Sequence, residues 1–504
     1  MPLTIEELST FCKRKGFVYP SGEIYGGLAG FFDFGHAGVE LKNNIKKEWW
    51  KSFVQQRDDV VGIDGSIITN PAVWKASGHV DGFTDALIDC KKCGNRIRAD
   101  LLIEDALKVS TAGMQLQEIS SIIKKNAIKC PKCKSSLEEP KRFNLMFTTN
   151  VGPIQQDSAT AYLRPETAQL IFTNFKLVQD NARLKLPFGI AQIGKAYRNE
   201  ISPRDFLFRM REFEQMEIEY FIHPEKSNEC PHLHEVSNFE LNVYTEEMQK
   251  SKKDSKRMKV KDILSKKIIK TEWHAYWLAM MSKWFIELGA NPEKFRIRQH
   301  VKTELSHYAA DTWDIEYNFP FGWKELQGIA NRSDYDLKQH SQHSKNDLSV
   351  FDEESKKKVI PHVICEPSQG VERAFLVFMF DAYTYDKERE NVVLKLHPKI
   401  APIKAAVFPL VNKEEIAKIA KSITAELKKE FNSFYDQSGS VGRRYSRQDE
   451  IGTPYCITVD FESLNDKKVT IRNRDDTKQA RIEISKIKET VRKLIDGEIK
   501  FSEL

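Results

Sequence analysis

The sequence predicts an α/β (α+β) protein, with an antiparallel sheet flanked by helices over residues 1–398 and a smaller mixed sheet over residues 399–504. A chain of 504 residues is too long for a single hydrophobic core, which favours at least two domains. Side chains alternate with strand periodicity over residues 190–200 and again over 213–222. Beyond Pro398, strand and helix patterns alternate, as is typical of a small α/β domain.

The elements begin with a helix that Thr4 and Glu7 open as a capping box. Two insertions interrupt the main domain: one at about 85–145, which contains two cysteine pairs, and one at about 224–300, whose periodicity is mostly helical. The later elements, in order, are strands within 295–363, a helix after Glu372, a strand over 404–411, a helix over 414–434, strands over 456–461 and 469–474, and a helix ending near Ile495.

The alternating segments around residue 200 predict two antiparallel strands with an apolar back and a polar front. The front carries Arg198, Glu200, Phe213 and Glu217. An aromatic ring beside an arginine can stack on a base while the guanidinium binds phosphate in a bidentate fork. A surface hairpin with cross-strand salt bridges is the alternative, because such pairs are common in sheets.

Charged residues make up 30% of the chain, and the net charge is +6. This mildly basic balance is compatible with nucleic-acid binding but does not establish it. The first sixteen residues lack the apolar core of a signal peptide, and no run of about 18 apolar residues occurs, which argues against a membrane span. We therefore expect a soluble, cytoplasmic protein.

Four of the eight cysteines form two CxxC pairs, Cys90 with Cys93 and Cys130 with Cys133. Four thiolates at this spacing can close a tetrahedral structural zinc site, although the segment between the pairs is long for a compact zinc ribbon. A disulfide framework is not expected in the cytoplasm. The run Cys230–His234 lacks further ligands, and His340 and His343 are interpreted as polar residues of a helix face.

Three blocks place guanidinium groups beside carboxylates: Arg164–Thr167, Tyr197–Glu217 and Cys365–Arg373. The segments RNEISPRDFLFRMREFEQMEIEYF and CEPSQGVERAFLVFM resemble the second and third signature motifs of class II aminoacyl-tRNA synthetases, and FGHAGVELKNNIKKEWWKSFV resembles the first. RPETAQ, GWKELQGIANRSDYDLKQH and RRYSRQDEIGTPYCITVDF add a resemblance to the homodimeric glycyl-tRNA synthetases that spans almost the whole chain.

The resemblance implies ATP-dependent ligation of glycine to its cognate tRNA through a glycyl-adenylate, with release of AMP and pyrophosphate. Arg198 would bind the α-phosphate, Arg373 the γ-phosphate end, and Phe213 would stack on adenine. Glu200 and Glu325 would hold Mg²⁺ or the nucleotide. The residues assigned to ATP are Arg198, Asn199, Glu200, Phe208, Arg211, Phe213, Glu325, Leu326, Gly370 and Arg373.

Glycine offers no side chain, so its site must hold an ammonium and a carboxylate and leave no room for a methyl group. By resemblance, the residues assigned to glycine are Arg98, Glu166, Phe213, Glu217, Glu366, Ser368 and Gly370. In the alternative interpretation, Glu217 and Glu366 form structural ion pairs with Arg211 or Arg373.

Resemblance also assigns partners: a second copy of the chain, through residues 34–54, and tRNA, through the last hundred residues. Arg443, Arg444 and Arg447 flank Tyr445, a mixture of cations and a stacking ring that suits single-stranded anticodon bases. The lysine-rich run 250–270 is either a solvated face or a contact with the acceptor stem. Competing functions are a class II synthetase for proline, serine, threonine or histidine, and a non-catalytic nucleic-acid-binding relative.

Overall fold

The computed structural model describes residues 3–109, 111, 114–153, 160–302, 304–305 and 309–504. Its centre is a nine-stranded sheet that is antiparallel except for two pairs, in which Val60–Gly62 runs parallel to Phe188–Tyr197 and Glu240–Tyr244 runs parallel to Phe295–Gln299. From edge to edge, the strands are Lys256–Lys259, Glu240–Tyr244, Phe295–Gln299, Asp311–Phe319, Gly322–Asn331, His362–Gly370, Glu212–Ile222, Phe188–Tyr197 and Val60–Gly62.

Helices cover the two faces of this sheet unequally. The apolar back, with Met216, Ile218 and Tyr220, packs in the largest core against helices that include His36–Trp50, Glu272–Glu287 and Val371–Ala382. Part of the front is covered by Ala168–Ala182 and Tyr335–Ser344, which bury Phe172, Phe175 and Leu337 against Phe188 and Phe221. The rest of the front borders a cavity.

Smaller elements surround the main sheet. The N-terminal helix Ile5–Arg14 begins with the predicted capping box of Thr4 and Glu7. The cysteine insertion contains strands Thr84–Asp89, Arg96–Arg98 and Lys141–Asn144 and helices Ala99–Leu107 and Leu116–Lys125. The other elements outside the last hundred residues are strands Val18–Pro20, Phe32–Phe34, Ile68–Thr69, Phe147–Asn150, Thr160–Leu163, Val350–Asp352, Lys357–Val359, Tyr383–Asp386 and Asn391–Leu394, and helices Pro71–Ala76, His79–Gly82, Glu246–Ser251 and Val260–Ser265.

The C-terminal part forms a separate mixed sheet with its own core. Its strands, in spatial order, are Ser433–Tyr435, Ala405–Pro409, Tyr455–Val459, Lys468–Asn473 and Gln479–Glu483, and only the last two pairings are antiparallel. Its helices are Glu414–Leu427, Val441–Ile451, Ser463–Asp466 and Ile487–Asp496. The predicted α/β class, with a C-terminal mixed sheet, is therefore confirmed. In the described part of the chain, no helix has the length and apolar character needed to span a membrane.

Two elements differ from their predicted form. The insertion at 224–300 contains more helical than strand residues, but strands Glu240–Tyr244 and Lys256–Lys259, which were not predicted, extend the main sheet. Leu241 and Val243 are buried in alternation on the first of these strands. This alternating segment is too short to be recognised as a strand in a sequence rich in lysine. The helix predicted over 414–434 ends at Leu427, after which Ser433–Tyr435 pairs as an edge strand.

Candidate active site

The open part of the front face borders a cavity of about 330 Å³. Strands Phe188–Tyr197 and Glu212–Ile222 pair with Gln192 opposite Glu217 and Ala196 opposite Phe213, which places the polar residues of the second strand in the cavity wall. The predicted residues that line the cavity are Glu166, Arg198, Glu200, Phe208, Phe213, Glu217, Glu325, Leu326, Glu366, Ser368, Gly370 and Arg373.

Three residues assigned from the sequence lie outside this lining. Arg98 pairs with Asp85 at 2.9 Å and with Asp100 in the cysteine insertion. The backbone nitrogen of Asn199 donates to the Leu145 oxygen at 2.8 Å. Arg211 Nε donates to the backbone oxygen of Glu200 at 3.0 Å, so it supports the cavity wall from behind.

Arg198 lies at the end of the first strand, between two aromatic rings. Its guanidinium carbon is 5.3 Å from the centre of the Phe213 ring and 5.5 Å from that of Phe83. Nε donates to the backbone oxygen of Pro165 at 3.1 Å. These contacts fix the guanidinium in the cavity wall, where it can bind an anionic group.

Arg373 occupies the opposite wall, in the first turn of helix Val371–Ala382. Its Nη1 lies 3.2 Å from Glu325 Oε1 and donates to the Glu325 backbone oxygen at 2.8 Å. Its guanidinium carbon lies 4.5 Å from the centre of the Phe208 ring. The Glu325 side chain is 51% exposed, so it faces the open cavity.

The other end of the cavity is acidic. Thr167 Oγ1 donates to Glu217, and Gln169 Nε2 donates to Glu166 Oε1 at 3.0 Å. Burial, and then the nearby Glu166 carboxylate, raise the pKa of Glu217. Burial also acts to raise the pKa of Glu166, but His79, 3.3 Å away, and Arg332 outweigh it and lower that pKa. This end of the cavity therefore attracts a cation.

Arg332 organises this acidic end and received no role in the sequence analysis. Its Nη1 donates to Glu366 at 2.8 Å, while Nε and Nη2 form a fork onto Asp336 at 2.7 and 2.8 Å. The alternative interpretation of Glu366 was therefore wrong in its partner, since the ion pair is with Arg332 and not with Arg211 or Arg373. Gln169 Nε2 joins the network by donating to Asp336 at 3.0 Å.

A histidine–aspartate pair also lines the cavity and was not predicted. His300 Nε2 lies 2.7 Å from Asp314 Oδ2. Asp314 lies on the strand that pairs with the strand of Glu325, and His300 follows directly after strand Phe295–Gln299. Burial raises the pKa of Asp314 to about 6. Further lining residues that the sequence did not single out are Leu207, Arg209, Met210, Gln215, Thr312, Gly328, Ala330 and Glu372. Gln215 alternates with Phe213 and Glu217, and Gly328 and Ala330 alternate with Leu326, so these three could have been found from strand periodicity.

The four paired cysteines meet outside this cavity. One sulfur atom from each of Cys90, Cys93, Cys130 and Cys133 lies within 4.8 Å of the other three, with Cys90 to Cys133 at 3.4 Å and Cys93 to Cys130 at 3.7 Å. All eight cysteines are free thiols. The cluster can therefore hold a metal ion.

The remaining histidine and arginine predictions have mixed outcomes. His343 lies on an exposed helix face as predicted, but His340 is buried and lies 2.8 Å from Gln169 Oε1. Arg444 is also buried and donates to the Pro409 backbone oxygen at 2.6 Å, so it is a structural cation. Tyr445 contacts Thr458 at 2.5 Å and packs on Phe408. Only Arg443 and Arg447 of that group are exposed.

Comparison with known families agrees with this geometry. A profile described as the tRNA synthetase class II core domain (G, H, P, S and T) matches residues 147–381, and one described as an anticodon binding domain matches residues 404–494. Proteins named glycine–tRNA ligase align along nearly their whole length. That of Caldanaerobacter subterraneus is 47% identical over 99% of both chains, and that of Thermobifida fusca is 44% identical over 98% of both.

Proposed function

Because this chain belongs to the glycine–tRNA ligase family of class II aminoacyl-tRNA synthetases, we propose that its cavity catalyses the ATP-dependent attachment of glycine to tRNA. The observation that carries the proposal is one cavity lined both by Arg198 and Arg373 and by the buried carboxylates of Glu166, Glu217 and Glu366. The glycine carboxylate attacks the α-phosphorus, pyrophosphate leaves, and the terminal ribose of tRNA then takes the glycyl group and releases AMP.

Neither step needs a nucleophile from the protein, so catalysis is chiefly positioning and electrostatic stabilisation. Arg198 binds the α-phosphate, where negative charge develops, and Arg373 binds the γ-phosphate end. Phe213 stacks on adenine. The exposed Glu325 carboxylate, with Glu200, offers the hard oxygen ligands that Mg²⁺ prefers, and Mg²⁺ would neutralise phosphate charge there.

The acidic end selects the amino acid. Glu166, Glu217 and Glu366 surround the ammonium, and the Ser368 hydroxyl adds a further polar contact. Ser368 pairs directly with Glu217 on the neighbouring strand, so little space remains between these two side chains. A methyl group on the substrate would overlap these side chains, so exclusion of larger amino acids needs no second site.

The cysteine cluster fits a structural Zn²⁺. Zinc–sulfur bonds of about 2.3 Å in a tetrahedron separate the sulfurs by about 3.8 Å, close to the two separations found here. Zinc would hold the insertion together and takes no part in the chemistry. We also propose that residues 1–398 form the catalytic domain, that 399–504 read the anticodon, that the segment 34–54 forms a homodimer, and that the enzyme works in the cytoplasm.

ATP–pyrophosphate exchange tests the proposed reaction. Wild-type protein should exchange with glycine and not with alanine, proline or serine. Arg198→Ala should lower the exchange rate by about 100-fold or more, because it removes a fixed cation from the developing charge. The matched control is Arg14→Ala, at an exposed arginine of the N-terminal helix. Exchange with proline or serine would overturn the specificity, and no exchange from folded protein would overturn the activity.

A further inference from the structure

A fourth carboxyl group lies behind the acidic end of the cavity. Glu219 is two residues beyond Glu217 on the same face of the strand, and it is fully buried. One oxygen from each of Glu217, Glu219 and Glu366 lies within 4.8 Å of the other two. Within the described part of the chain, neither carboxyl oxygen of Glu219 has a hydrogen-bond partner.

Its neighbours differ from it, because each of them accepts a hydrogen bond. Glu217 accepts from Thr167, and Glu366 accepts from Arg332. Glu166 accepts from Gln169, and Asp336 accepts from both Arg332 and Gln169. A buried carboxylate without a donor is costly, whereas a buried carboxylic acid needs only an acceptor.

We propose that Glu219 is a positioning residue that stays a neutral carboxylic acid and donates its proton within the acidic cluster, thereby holding the Glu217 and Glu366 carboxylates in place around the ammonium of the amino acid. This inference rests on the proposed function in one respect only, because that function identifies the bound ammonium as the one of glycine.

The charges around Glu219 support a retained proton. The titratable and charged groups around Glu219 come from several elements. Glu217 lies on its own strand, and Glu366 and Cys365 lie on the neighbouring strand. The cluster is completed by Arg332 and Asp336 near the start of helix Tyr335–Ser344, and by Glu166 with His79 beside helix Ala168–Ala182. Acidic groups outnumber the cations, and like charges buried together cannot all ionise. Burial, and then the Glu366 carboxylate, raise the pKa of Glu219 well above its ordinary value.

Isosteric substitution tests the role in substrate binding. Glu219→Ala should raise the KM for glycine in pyrophosphate exchange by about tenfold, because the two carboxylates lose their support. Glu219→Gln, which keeps the shape and a donor, should restore KM to within about threefold of wild type. Glu366→Gln is the comparison, since it removes a charge from the ammonium. If Glu219→Gln raises KM as much as Glu366→Gln, Glu219 is ionised and the proposal is overturned.

Thermal unfolding without substrates tests the proton separately. In wild type, the folded chain keeps a proton that the unfolded chain loses above its pKa of about 4.3, so this contribution to stability falls as pH rises. Glu219→Gln does not titrate there. Its Tm relative to wild type should therefore increase from about pH 5 to pH 8. A difference in Tm that does not change with pH would overturn the proposal, whether or not glycine proves to be the substrate.

Discussion

At the scale of single residues, the sequence does not reveal which groups a buried arginine contacts. Arg332 lies in the segment GIANRSDYDL, two residues before Asp334, and nothing in the local sequence distinguishes it from a surface arginine. It becomes the centre of the acidic end of the cavity because strand Gly322–Asn331 pairs with His362–Gly370 and brings Glu366 to its Nη1. Arg444 shows the converse, since its neighbour Tyr445 suggested an RNA surface while its guanidinium is buried against carbonyl oxygens.

His340 gives a prediction about stability in acid. Burial lowers its pKa to about 4, below the ordinary value of 6.5. As pH falls below 6.5, His340 becomes protonated in the unfolded chain but stays neutral in the folded chain. The folded protein therefore loses at most about 1.4 kcal/mol of stability per pH unit. His340→Gln should not show this loss, so its stability relative to wild type should increase as pH falls below 6.5, although near pH 7 the substitution should lower stability by about 1–3 kcal/mol.

Urea unfolding at a series of pH values between about 4.5 and 7.5 measures the His340 effect. The matched control is His343→Gln, one turn further along the same helix on its exposed face. His343 is exposed, and its Nδ1 lies 2.9 Å from the Gln339 backbone oxygen, so we expect its variant to follow wild type. Equal pH slopes for wild type and His340→Gln would contradict the assignment of a neutral, buried His340.

At the scale of elements, periodicity was reliable for long elements and unreliable for short ones. The strands Phe188–Tyr197 and Glu212–Ile222 lie where alternation predicted them, because ten or more residues carry the pattern. The strand Gln479–Glu483 was missed, since five residues of mixed polarity provide too few repeats. Helix Tyr335–Ser344 interrupts the stretch 295–363 that was interpreted as strands, and only His340 and His343 were placed on a helix face.

The cysteine insertion is the element whose stability we expect to depend on metal. Purified protein should contain about one zinc ion per chain, and Cys130→Ser should lower this to near zero, because three thiolates bind zinc much less tightly than four. Zinc released from denatured protein is measured with a colorimetric chelator, and protease cleavage within residues 85–145 reports the loss of structure.

Cys230→Ser serves as the control for zinc binding, because Cys230 is also buried but lies outside the cluster. It should keep the metal content of wild type. Metal-free wild-type protein with a protease-resistant insertion would show that the four thiols hold the fold without an ion.

At the scale of the whole molecule, one ion-pair network joins distant parts of the chain beside the candidate active site. Lys42 Nζ, on helix His36–Trp50, lies 2.7 Å from Glu372 and 3.0 Å from Glu214. Glu372 lines the cavity beside Arg373 and accepts from the backbone nitrogen of Glu214 at 3.0 Å. The helix proposed to form the dimer is thus tied directly to both arginine-bearing motifs.

The proposed homodimer predicts the mass of the protein in solution. Light scattering after size exclusion should give twice the chain mass of 58.3 kDa. Val39, 39% exposed on helix His36–Trp50, is an apolar residue that an interface would bury. Val39→Glu should shift the mass toward the monomer, since a buried unpaired charge costs several kcal/mol.

Leu177→Glu provides the matched control for the dimer, because Leu177 is 63% exposed on a helix outside residues 34–54. It should leave the mass unchanged. A monomeric wild-type protein at micromolar concentration would contradict the proposed dimer. A Val39→Glu variant that stays dimeric would show that the interface lies elsewhere.

The insertion at 224–300 also provides one edge strand of the main sheet. Its last strand, Lys256–Lys259, is only four residues long and carries Lys256, Arg257 and Lys259, of which all three are exposed. An open sheet edge can pair with the edge of another molecule, and repulsion between cationic side chains opposes such pairing. The cationic side chains of this strand therefore oppose edge-to-edge pairing between molecules, whether or not the lysine-rich run also contacts RNA.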